Sequence, residues 1–233
     1  SYSAALPTLR RPGEVFSLKI KGQDKWGNPS DRCSGKIFLE AEGALEGLPD
    51  AVAFQEGDFS LEVPGLSVNA PGRVSVTVKN AGGGIIARTN PLIIEDRDLV
   101  HYWGDMHGQS EETIGTGSAR EYFAFARDRA WVDACGHQGN DFQISDEFWA
   151  ELNRITAEFD APGSFVAMPG YEWSGNTALG GDRNVYFQNE GRIIRRSSHA
   201  LIEDQTTADT DCTTAGELFE AFAENGEFDV VCY

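Results

Sequence analysis

The chain has 233 residues, of which 40% are hydrophobic and 11% aromatic, so it has enough apolar sequence to bury the core of two modest domains or one large one. The formal charge of −18 is unevenly distributed: residues 1–98 hold 11 Lys and Arg against 13 Asp and Glu, whereas residues 99–233 hold 8 Arg against 24 Asp and Glu. The second half would repel a polyphosphate backbone, so we expect no nucleic-acid partner.

The sequence gives little indication of where the protein is located. No apolar run approaches the roughly 20 residues of a membrane span, so we expect no membrane partner. The first residues contain no basic segment followed by an apolar one, and no signal peptide is visible. The four cysteines form no C-x-x-C pair and so indicate no zinc ribbon. Both the cytoplasm and the periplasm remain open as locations, and the oligomeric state is not indicated.

The first part of the chain has the pattern of a β-rich domain. Apolar and polar residues alternate in short segments that turn sequences such as DKWGNPSD and NAPG separate. No convincing amphipathic helix occurs among them. The pattern predicts a β-sandwich of immunoglobulin-like type over residues 1–98. The predicted strands are VFSLKI, GKIFLEA, FSLEVPGL, RVSVTVK and GGIIARTNPLIIE.

The second part, residues 99–233, alternates between strands and helices. The predicted strands are LVHYWGDM, WVDAC, GSFVAMPG, RNVYFQ and FDVVCY. Helices are predicted after Ser118, after Ser145 or Asp146, and after a capping box formed by Thr214 and Glu217. This order favours an α/β barrel or a doubly wound sheet. Because the last predicted strand runs to Tyr233, we expect the sequence to stop inside an incomplete barrel.

Polar residues of catalytic type stand at the ends of successive predicted strands. In a β/α barrel these ends converge on one rim, so the residues are expected to meet there. Asp105 and His107 are two residues apart, which places them on one face of an ideal strand. Imidazole together with carboxylate suits Zn, Mn or Fe. The residues at these strand ends are Asp105, His107, His137, Asn140, Asp141, Glu172, Asp182 and Arg183.

Most of these residues also have a simpler interpretation. His107 and His137 are each explained as hydrogen-bonded structural histidines, and Glu172 as the ion-pair partner of Arg183. Asn140 and Asp141 are common turn residues. Taken together, the group favours a metal site.

Residues outside this group have less specific interpretations. His199 either caps the helix-like segment HALIED or points into the site. Arg195 and Arg196 are interpreted as part of a solvated loop.

Four longer segments carry a family resemblance. YWGDMHGQSEETIGTGS, GHQGNDFQIS, PGSFVAMPGYEWSGNT and GGDRNVYF resemble the PHP (polymerase and histidinol phosphatase) superfamily. The similar branch is a formerly uncharacterised one related to bacterial carbaryl and carbofuran hydrolases, and the match covers about residues 99–233. The resemblance implies a distorted β/α barrel with two or three divalent ions, often Mn or Zn, that activate water. The segment KGQDKWGNPS resembles part of the β-sandwich that commonly precedes such domains.

The resemblance assigns metal ligands by motif. His107 matches the first His of the family's H-x-H and Asp105 its preceding Asp. His137 matches the His that closes the second strand, and Glu172 matches the bridging carboxylate of the third. The sequence departs from the family at Gln109, where a second His is usual, and at the D-R-N segment 182–184, where a His is often found. At these two positions the sequence lacks the His residues that a full site for three metal ions would use.

The expected function is that of a metal-dependent hydrolase. A metal-activated water would cleave an ester-type bond, either a carbamate, a carboxylic ester or a phosphoester, in a small-molecule substrate. No G-x-S-x-G motif supports serine-esterase chemistry. The alternative is a catalytically impaired metal- or carbohydrate-binding module on the same fold, which Gln109 favours. The candidate catalytic residues are Arg183 and His199, and the candidate substrate contacts are Gln109, Asn140 and Trp173.

Overall fold

The computed structural model describes residues 1–175, 181–227 and 229–233. They form two compact units, Ser1–Tyr102 (the N-terminal unit) and Trp103–Tyr233 (the C-terminal unit). Asn176 and Thr177, at the end of one of the motifs, and Phe228, in the last predicted strand, lie outside the described residues. Within the described residues, no helix has the length and apolar character needed to cross a bilayer.

The N-terminal unit, every residue of which is described, contains strands and no helix. Its strands are β1 (Tyr2–Ala5), β2 (Leu9–Arg10), β3 (Phe16–Gly22), β4 (Gly35–Glu42), β5 (Ala51–Phe54), β6 (Ser60–Leu66), β7 (Gly72–Lys79), β8 (Ile85–Arg88) and β9 (Leu92–Ile94). One sheet has the order β1-β3-β6 and the other β2-β9-β7-β4-β5, with β8 paired to β7.

The packing of this unit is sandwich-like, as the alternating pattern predicts. Along β3, residues at alternate positions, including Leu18 and Ile20, are fully buried, and Val74, Val76 and Val78 repeat the pattern on β7. These side chains belong to one apolar core that draws on both sheets. The hydrophobic period of two therefore determined the architecture of this unit.

The C-terminal unit combines two small sheets with helices. Its strands are β10 (Gly104–Gly108), β11 (Ala134–His137), β12 (Val166–Met168), β13 (Gly170–Trp173), β14 (Arg183–Phe187) and β15 (Val230–Cys232). Its α-helices are α1 (Ala119–Phe125), α2 (Asp146–Phe159) and α3 (Ala215–Glu224). A π-helical turn (Ala126–Ala130) and 3-10 turns at Asp141–Gln143 and Ala208–Thr210 complete its helical segments in the described residues.

The two sheets of this unit differ in strand direction. The order β10-β11-β12 is parallel, and the order β13-β14-β15 is antiparallel. Only Pro169 separates β12 from β13, so the chain passes directly from the first sheet to the second. Side chains of α1, α2 and α3 pack with both sheets in one apolar core.

The helix starts in the C-terminal unit follow the capping predictions. Ser118 and Thr214 each form a capping box, with Glu121 and Glu217 respectively. Ser145, rather than Asp146, is the cap of α2, and its side chain accepts the Phe148 backbone N–H. These predictions are confirmed because a cap depends only on residues within one turn of the helix.

Several strand boundaries differ from the prediction. The segment GSFVAMPG, predicted as one strand, is divided at Pro169, and Glu172, expected after that strand, lies within β13. The strand expected from Leu99 begins only at Gly104. The strand expected from Trp131 begins at Ala134, because Trp131 has φ of +65° and its backbone N–H closes the π-helical turn on Ala126. A positive φ is incompatible with an extended strand.

Candidate functional site

The end of β10 is irregular at the residues that the sequence highlights. In its ladder with β11, Asp105 pairs with Cys135 and Gly108 pairs with His137, so β10 contains one residue more than its partner over this stretch. Such a bulge interrupts the alternation of side chains. Gly108 is required here, because a Cβ at this position would lie 2.0 Å from the ring of Tyr122.

His107 and Glu172 come together across the end of the two sheets. His107 Nε2 lies 3.7 Å from Glu172 Oε1, and the two side chains are 46% and 12% exposed respectively. Glu172 is positioned through its backbone, since its N–H donates to the carbonyl of Gly139 at 2.9 Å, beyond the end of β11. The result is an imidazole and a carboxylate that face one another at an accessible position.

A chain of hydrogen bonds holds the other oxygen of Glu172. Asn140 Nδ2 donates to Glu172 Oε2 at 2.6 Å, and Gln109 Nε2 approaches both that oxygen, at 3.4 Å, and Asn140 Oδ1, at 3.2 Å. Thr113 Oγ1 donates to Gln109 Oε1 at 2.7 Å. Because an ionised carboxylate only accepts hydrogen bonds, Glu172 fixes the donor-to-acceptor direction of every hydrogen bond in this series. Gln109 and Asn140 therefore orient Glu172 rather than project freely toward a substrate.

The electrostatic surroundings of Glu172 are mostly unfavourable to its charge. Burial raises the pKa of its carboxyl group, and the negative charges of Asp182 and Asp141 raise it further. The His107 imidazole and the hydrogen bond from Asn140 act in the opposite direction. A cation beside Glu172 would stabilise the charged form of its carboxyl group.

Asp105 does not join the pair. Its carboxylate Oδ1 accepts the backbone N–H of His107 at 3.3 Å, and it lies close enough to Tyr122 and Tyr186 to contribute to the raised pKa of each phenol. The irregular ladder explains the difference from the expected common face of Asp105 and His107, since that expectation assumes a regular strand.

His137 is a buried residue with both ring nitrogens engaged. His137 is 1% exposed. Its Nε2 lies 2.7 Å from Ser110 Oγ, and its Nδ1 accepts the backbone N–H of Gly139 at 3.2 Å. Since Nδ1 accepts, the ring proton is on Nε2 and is donated to Ser110. Burial lowers the pKa of His137 to about 4, although Glu112 acts against this shift, so the ring is neutral at pH 7.

Trp173 and Arg183 lie on the face of the second sheet opposite to Glu172. They are paired across β13 and β14, one position along from Glu172, and adjacent strand residues point to opposite faces. Trp173 is fully buried, and its indole N–H donates to the carbonyl of Cys212 at 2.8 Å. Arg183 donates to the carbonyl of Asp182 at 2.8 Å. The structure therefore does not bring these two candidates to the Glu172 pair.

His199 belongs to a separate buried cluster. Its Nδ1 lies 2.6 Å from Asp211 Oδ1, and its Nε2 faces Arg196 and Thr207 at 3.4 Å. Arg196 is 0% exposed and donates to the carbonyl of Ile144 at 2.9 Å and to Asp146 at 2.6 Å.

The interpretation of Arg195 and Arg196 as a solvated loop is wrong. Arg196 is held within the cluster above, and Arg195 is buried with Glu227, 3.1 Å away. The acidic partners that allow this burial, Asp146 and Glu227, are distant in the sequence, so the doublet alone gives no signal for it.

Asp141 is a structural anchor beside the site. It is buried, its Oδ1 accepts the backbone N–H of Ser174 at 2.8 Å, and its Oδ2 accepts that of Ser197. Burial raises the pKa of Asp141, and these two donors oppose the shift. Asp141 thus joins the segment after β13 to the segment that carries Arg196, which is more than the turn role that its sequence context suggests.

A family model described as "Protein of unknown function (DUF3604)" matches residues 84–223. This match covers more than half of the chain, and the protein belongs to that family. The matched segment includes every candidate site residue. The family description does not state an activity.

The chain is also similar to uncharacterised chlamydial proteins. It is 24% identical over 180 residues to one from Chlamydia pneumoniae and 22% identical over 182 residues to one from Chlamydia trachomatis. In both cases the alignment covers 75% of this chain and 29% of the relative, so the chain spans less than a third of the length of these proteins.

One solved structure with partial similarity is titled "Structure of PhoD". It aligns with 60% of this chain and 27% of its own, at 11% identity and a TM-score of 0.28. Similarity at this level does not establish a common fold.

The His107–Glu172 pair has the chemistry of a partial metal site. Ligand atoms about 2.0–2.2 Å from one ion are themselves about 3–3.5 Å apart, close to the 3.7 Å between Nε2 and Oε1. Among the described residues, however, no three His, Cys, Asp or Glu side chains are grouped to hold a metal ion. The pair fits one ion whose other ligands are neutral oxygens or water, whereas the expected set of Asp105, His107, His137 and Glu172 does not converge.

Proposed function

We propose that this protein is a metal-dependent hydrolase that cleaves an ester-type bond in a small-molecule substrate. The observation that carries the proposal is the accessible His107–Glu172 pair, in which Glu172 is fixed from behind by Asn140 and Gln109. A carboxylate held by two amides, with its second oxygen directed at an imidazole, is preorganised for a divalent cation.

The corresponding fold proposal concerns both units. We propose that the sandwich-like N-terminal unit is of immunoglobulin type and that the C-terminal unit is part of a PHP-type β/α barrel. The parallel order β10-β11-β12, with α1 and α2 as the intervening helices, supports the second assignment. Membership of the PHP superfamily is thus proposed from motif resemblance together with this parallel sheet.

The chain's own residues have defined tasks in this mechanism. His107 and Glu172 would hold a divalent ion, Mn, Zn or Fe, which when bound supplies a water of lowered pKa and polarises the substrate oxygen. Asn140 and Gln109 keep Oε2 of Glu172 occupied, so that Oε1 remains directed toward His107. The backbone N–H of Gly139 fixes the tautomer of His137, whose neutral, buried ring donates to Ser110.

The charges around the site favour an uncharged ester or carbamate over a phosphoester. Asp182 and Asp141 add negative charge near Glu172, and Arg183 lies on the opposite face of the sheet. A polyanionic substrate would normally be met by arginine side chains that bind it in a bidentate manner. We therefore propose a carbamate or carboxylic ester as the substrate class.

The test combines metal content with hydrolysis. The full chain, purified without chelator, is analysed for Mn, Zn and Fe and assayed with p-nitrophenyl acetate, phenyl N-methylcarbamate and bis(p-nitrophenyl) phosphate. His107→Ala and Glu172→Gln should lose both metal and turnover, while the exposed residues His101 and Glu190 provide matched controls as His101→Ala and Glu190→Gln. A wild-type protein without metal after reconstitution, or equal turnover in all variants, would contradict the proposal.

A second function is supported by one feature of the same site. Gln109 stands where the family resemblance expects a second His, and its side-chain amide is engaged by Glu172 and Thr113. This favours the alternative of a metal- or carbohydrate-binding module that has lost catalysis. Stoichiometric metal without turnover of any of the three substrates would support the module over the hydrolase.

A further inference from the structure

Asn184 is the residue directly opposite Glu172 in the second sheet. The pairing of β13 with β14 places Glu172 against Asn184, and residues opposite one another in an antiparallel pair project from the same face. The backbone N–H and carbonyl of Asn184 both bond to Tyr233, at 2.9 and 3.2 Å. Asn184 therefore turns its non-hydrogen-bonded side to Glu172, the arrangement in which side chains of a pair are closest.

The amide oxygen of Asn184 has no hydrogen-bond partner. Oδ1 is buried, and no donor within the described residues reaches it. A buried acceptor without a partner is costly and rare in folded proteins, so it calls for an explanation. Other residues of this site do not supply one, since the Glu172 carboxylate is itself an acceptor and the side-chain N–H groups of Asn140 lie against Glu172 and Ser174.

Three acceptor atoms are therefore available to a cation on this face of the sheet. Glu172 Oε1 and His107 Nε2 lie 3.7 Å apart, and the strand register places Asn184, with its unpartnered Oδ1, opposite Glu172. No lysine or arginine forms an ion pair with Glu172 in the described part of the chain. A group of acceptors that lacks donors is suited to a cation. Two oxygens with one imidazole are a harder ligand set than the thiolate- or histidine-rich sets that select zinc.

We propose that Asn184 Oδ1 is a further ligand of the divalent cation held by His107 and Glu172, and that this oxygen contributes more to the binding of Mn²⁺ than to that of Zn²⁺. The inference rests on the proposed metal-dependent function and adds to it a ligand and a metal preference. It assigns a metal-binding role to an uncharged side chain.

The experiment measures Mn²⁺ binding by the full chain from the EPR signal of free Mn²⁺, independently of any activity. Asn184→Ala should weaken Mn²⁺ binding by roughly tenfold or more, with a smaller loss for Zn²⁺ by competition. Asn184→Asp keeps an oxygen in place and should bind Mn²⁺ at least as tightly as the wild type. Asn189→Ala, at an exposed position beyond β14, is the matched control and should match the wild type.

Thermal unfolding of the cation-free proteins separates a ligand from a structural residue. If Asn184 is a ligand, Asn184→Ala should not lower the cation-free melting temperature, because it removes an acceptor that has no partner. A lower melting temperature with unchanged Mn²⁺ affinity would overturn the inference. Weaker Mn²⁺ binding by Asn184→Asp would also overturn it, and this variant decides the matter if the alanine variant does not fold.

The failure of this inference can be distinguished from the failure of the proposed function. Loss of Mn²⁺ binding in His107→Ala and Glu172→Gln, with normal binding in Asn184→Ala, rejects the Asn184 ligand and leaves the hydrolase site standing. A buried water on Oδ1 would give this result. Absence of Mn²⁺ binding in the wild type rejects both.

Discussion

In the N-terminal unit the buried side chains are almost all aliphatic or aromatic, whereas the C-terminal unit encloses a series of polar and charged groups. Among the buried polar residues of the described chain, Arg10 is the one in the N-terminal unit, and ten others lie in the C-terminal unit. The first unit is thus stabilised mainly by apolar burial. In the C-terminal unit, the burial of Arg196, His137 and Asp141 also carries a desolvation cost that their hydrogen-bond partners must offset.

The difference indicates which unit holds its loops in place through buried polar contacts. Buried charges are tolerated when each has partners, and these partners fix the positions of loops as well as side chains. In the C-terminal unit, Asp141 bonds the segments that carry Ser174 and Ser197, and Arg196 bonds to Ile144 and Asp146. The loops beside the His107–Glu172 pair are therefore held by polar contacts, while the N-terminal unit has no comparable set of buried groups.

The largest effect is expected from removing the buried guanidinium of Arg196. Arg196→Leu should lower the free energy of unfolding by about 3 kcal/mol, because Asp146, Thr207 and the Ile144 carbonyl lose their donor. Arg10→Leu in the N-terminal unit should cost less, since its carboxylate partner Glu14 is more distant, at 3.6 Å. Urea denaturation followed by tryptophan fluorescence measures both.

The exposed Arg154 provides the control for this comparison. Its ion pairs with Glu151 and Glu158 are solvent-exposed, and Arg154→Leu should change the stability by less than about 1 kcal/mol. If Arg10→Leu proved as costly as Arg196→Leu, the contrast between the two units would not hold.

An intermediate effect is expected at Gly108. Gly108→Ala would place a methyl group 2.0 Å from the Tyr122 ring, and overpacking of this kind costs about 1–3 kcal/mol. The displaced end of β10 would also shift His107, so Mn²⁺ binding should weaken together with stability.

Gly72, in the N-terminal unit, is the matched position, since a Cβ there meets nothing within 4 Å. Gly72→Ala should leave both thermal stability and Mn²⁺ binding nearly unchanged. A Gly108→Ala variant with wild-type stability would show that Tyr122 can move aside, and that the end of β10 is less constrained than its geometry indicates.

How far the sequence predicts the molecule also differs between the units. The strands of the sandwich follow from alternation, and the helix caps follow from four-residue patterns, because both depend on near neighbours in the chain. His107 and Glu172 were expected to meet as members of a larger group at strand ends, and the structure brings these two together with Glu172 inside β13. These features needed no knowledge of partners distant in the sequence.

What the sequence did not predict depends on register and on distant partners. The bulge in β10 separates Asp105 from His107, and the pairing of β13 with β14 decides that Trp173 faces the core while Asn184 faces Glu172. A shift of one residue would exchange these faces, and nothing local in the sequence fixes the register. The orphaned oxygen of Asn184 likewise becomes visible only once the neighbours of the side chain are known.

The smallest effect is expected from the surface ion pair of Glu158 with Arg120. The two are joined in a bidentate manner at 2.6 and 2.7 Å, and the hydrogen bonds from Arg120 are the main reason that the pKa of Glu158 falls to about 2. Because this pKa is lowered from an unfolded value of about 4.3, the stabilisation is fully present above that pH and is lost as the pH falls through about 2. Glu158→Gln should therefore flatten the dependence of unfolding on pH slightly below pH 4.3 and leave it unchanged at pH 7 to 8. Both side chains are exposed, so the difference should also shrink in 1 M salt, and an effect that persisted there would show that the pair is less solvated than its exposure indicates.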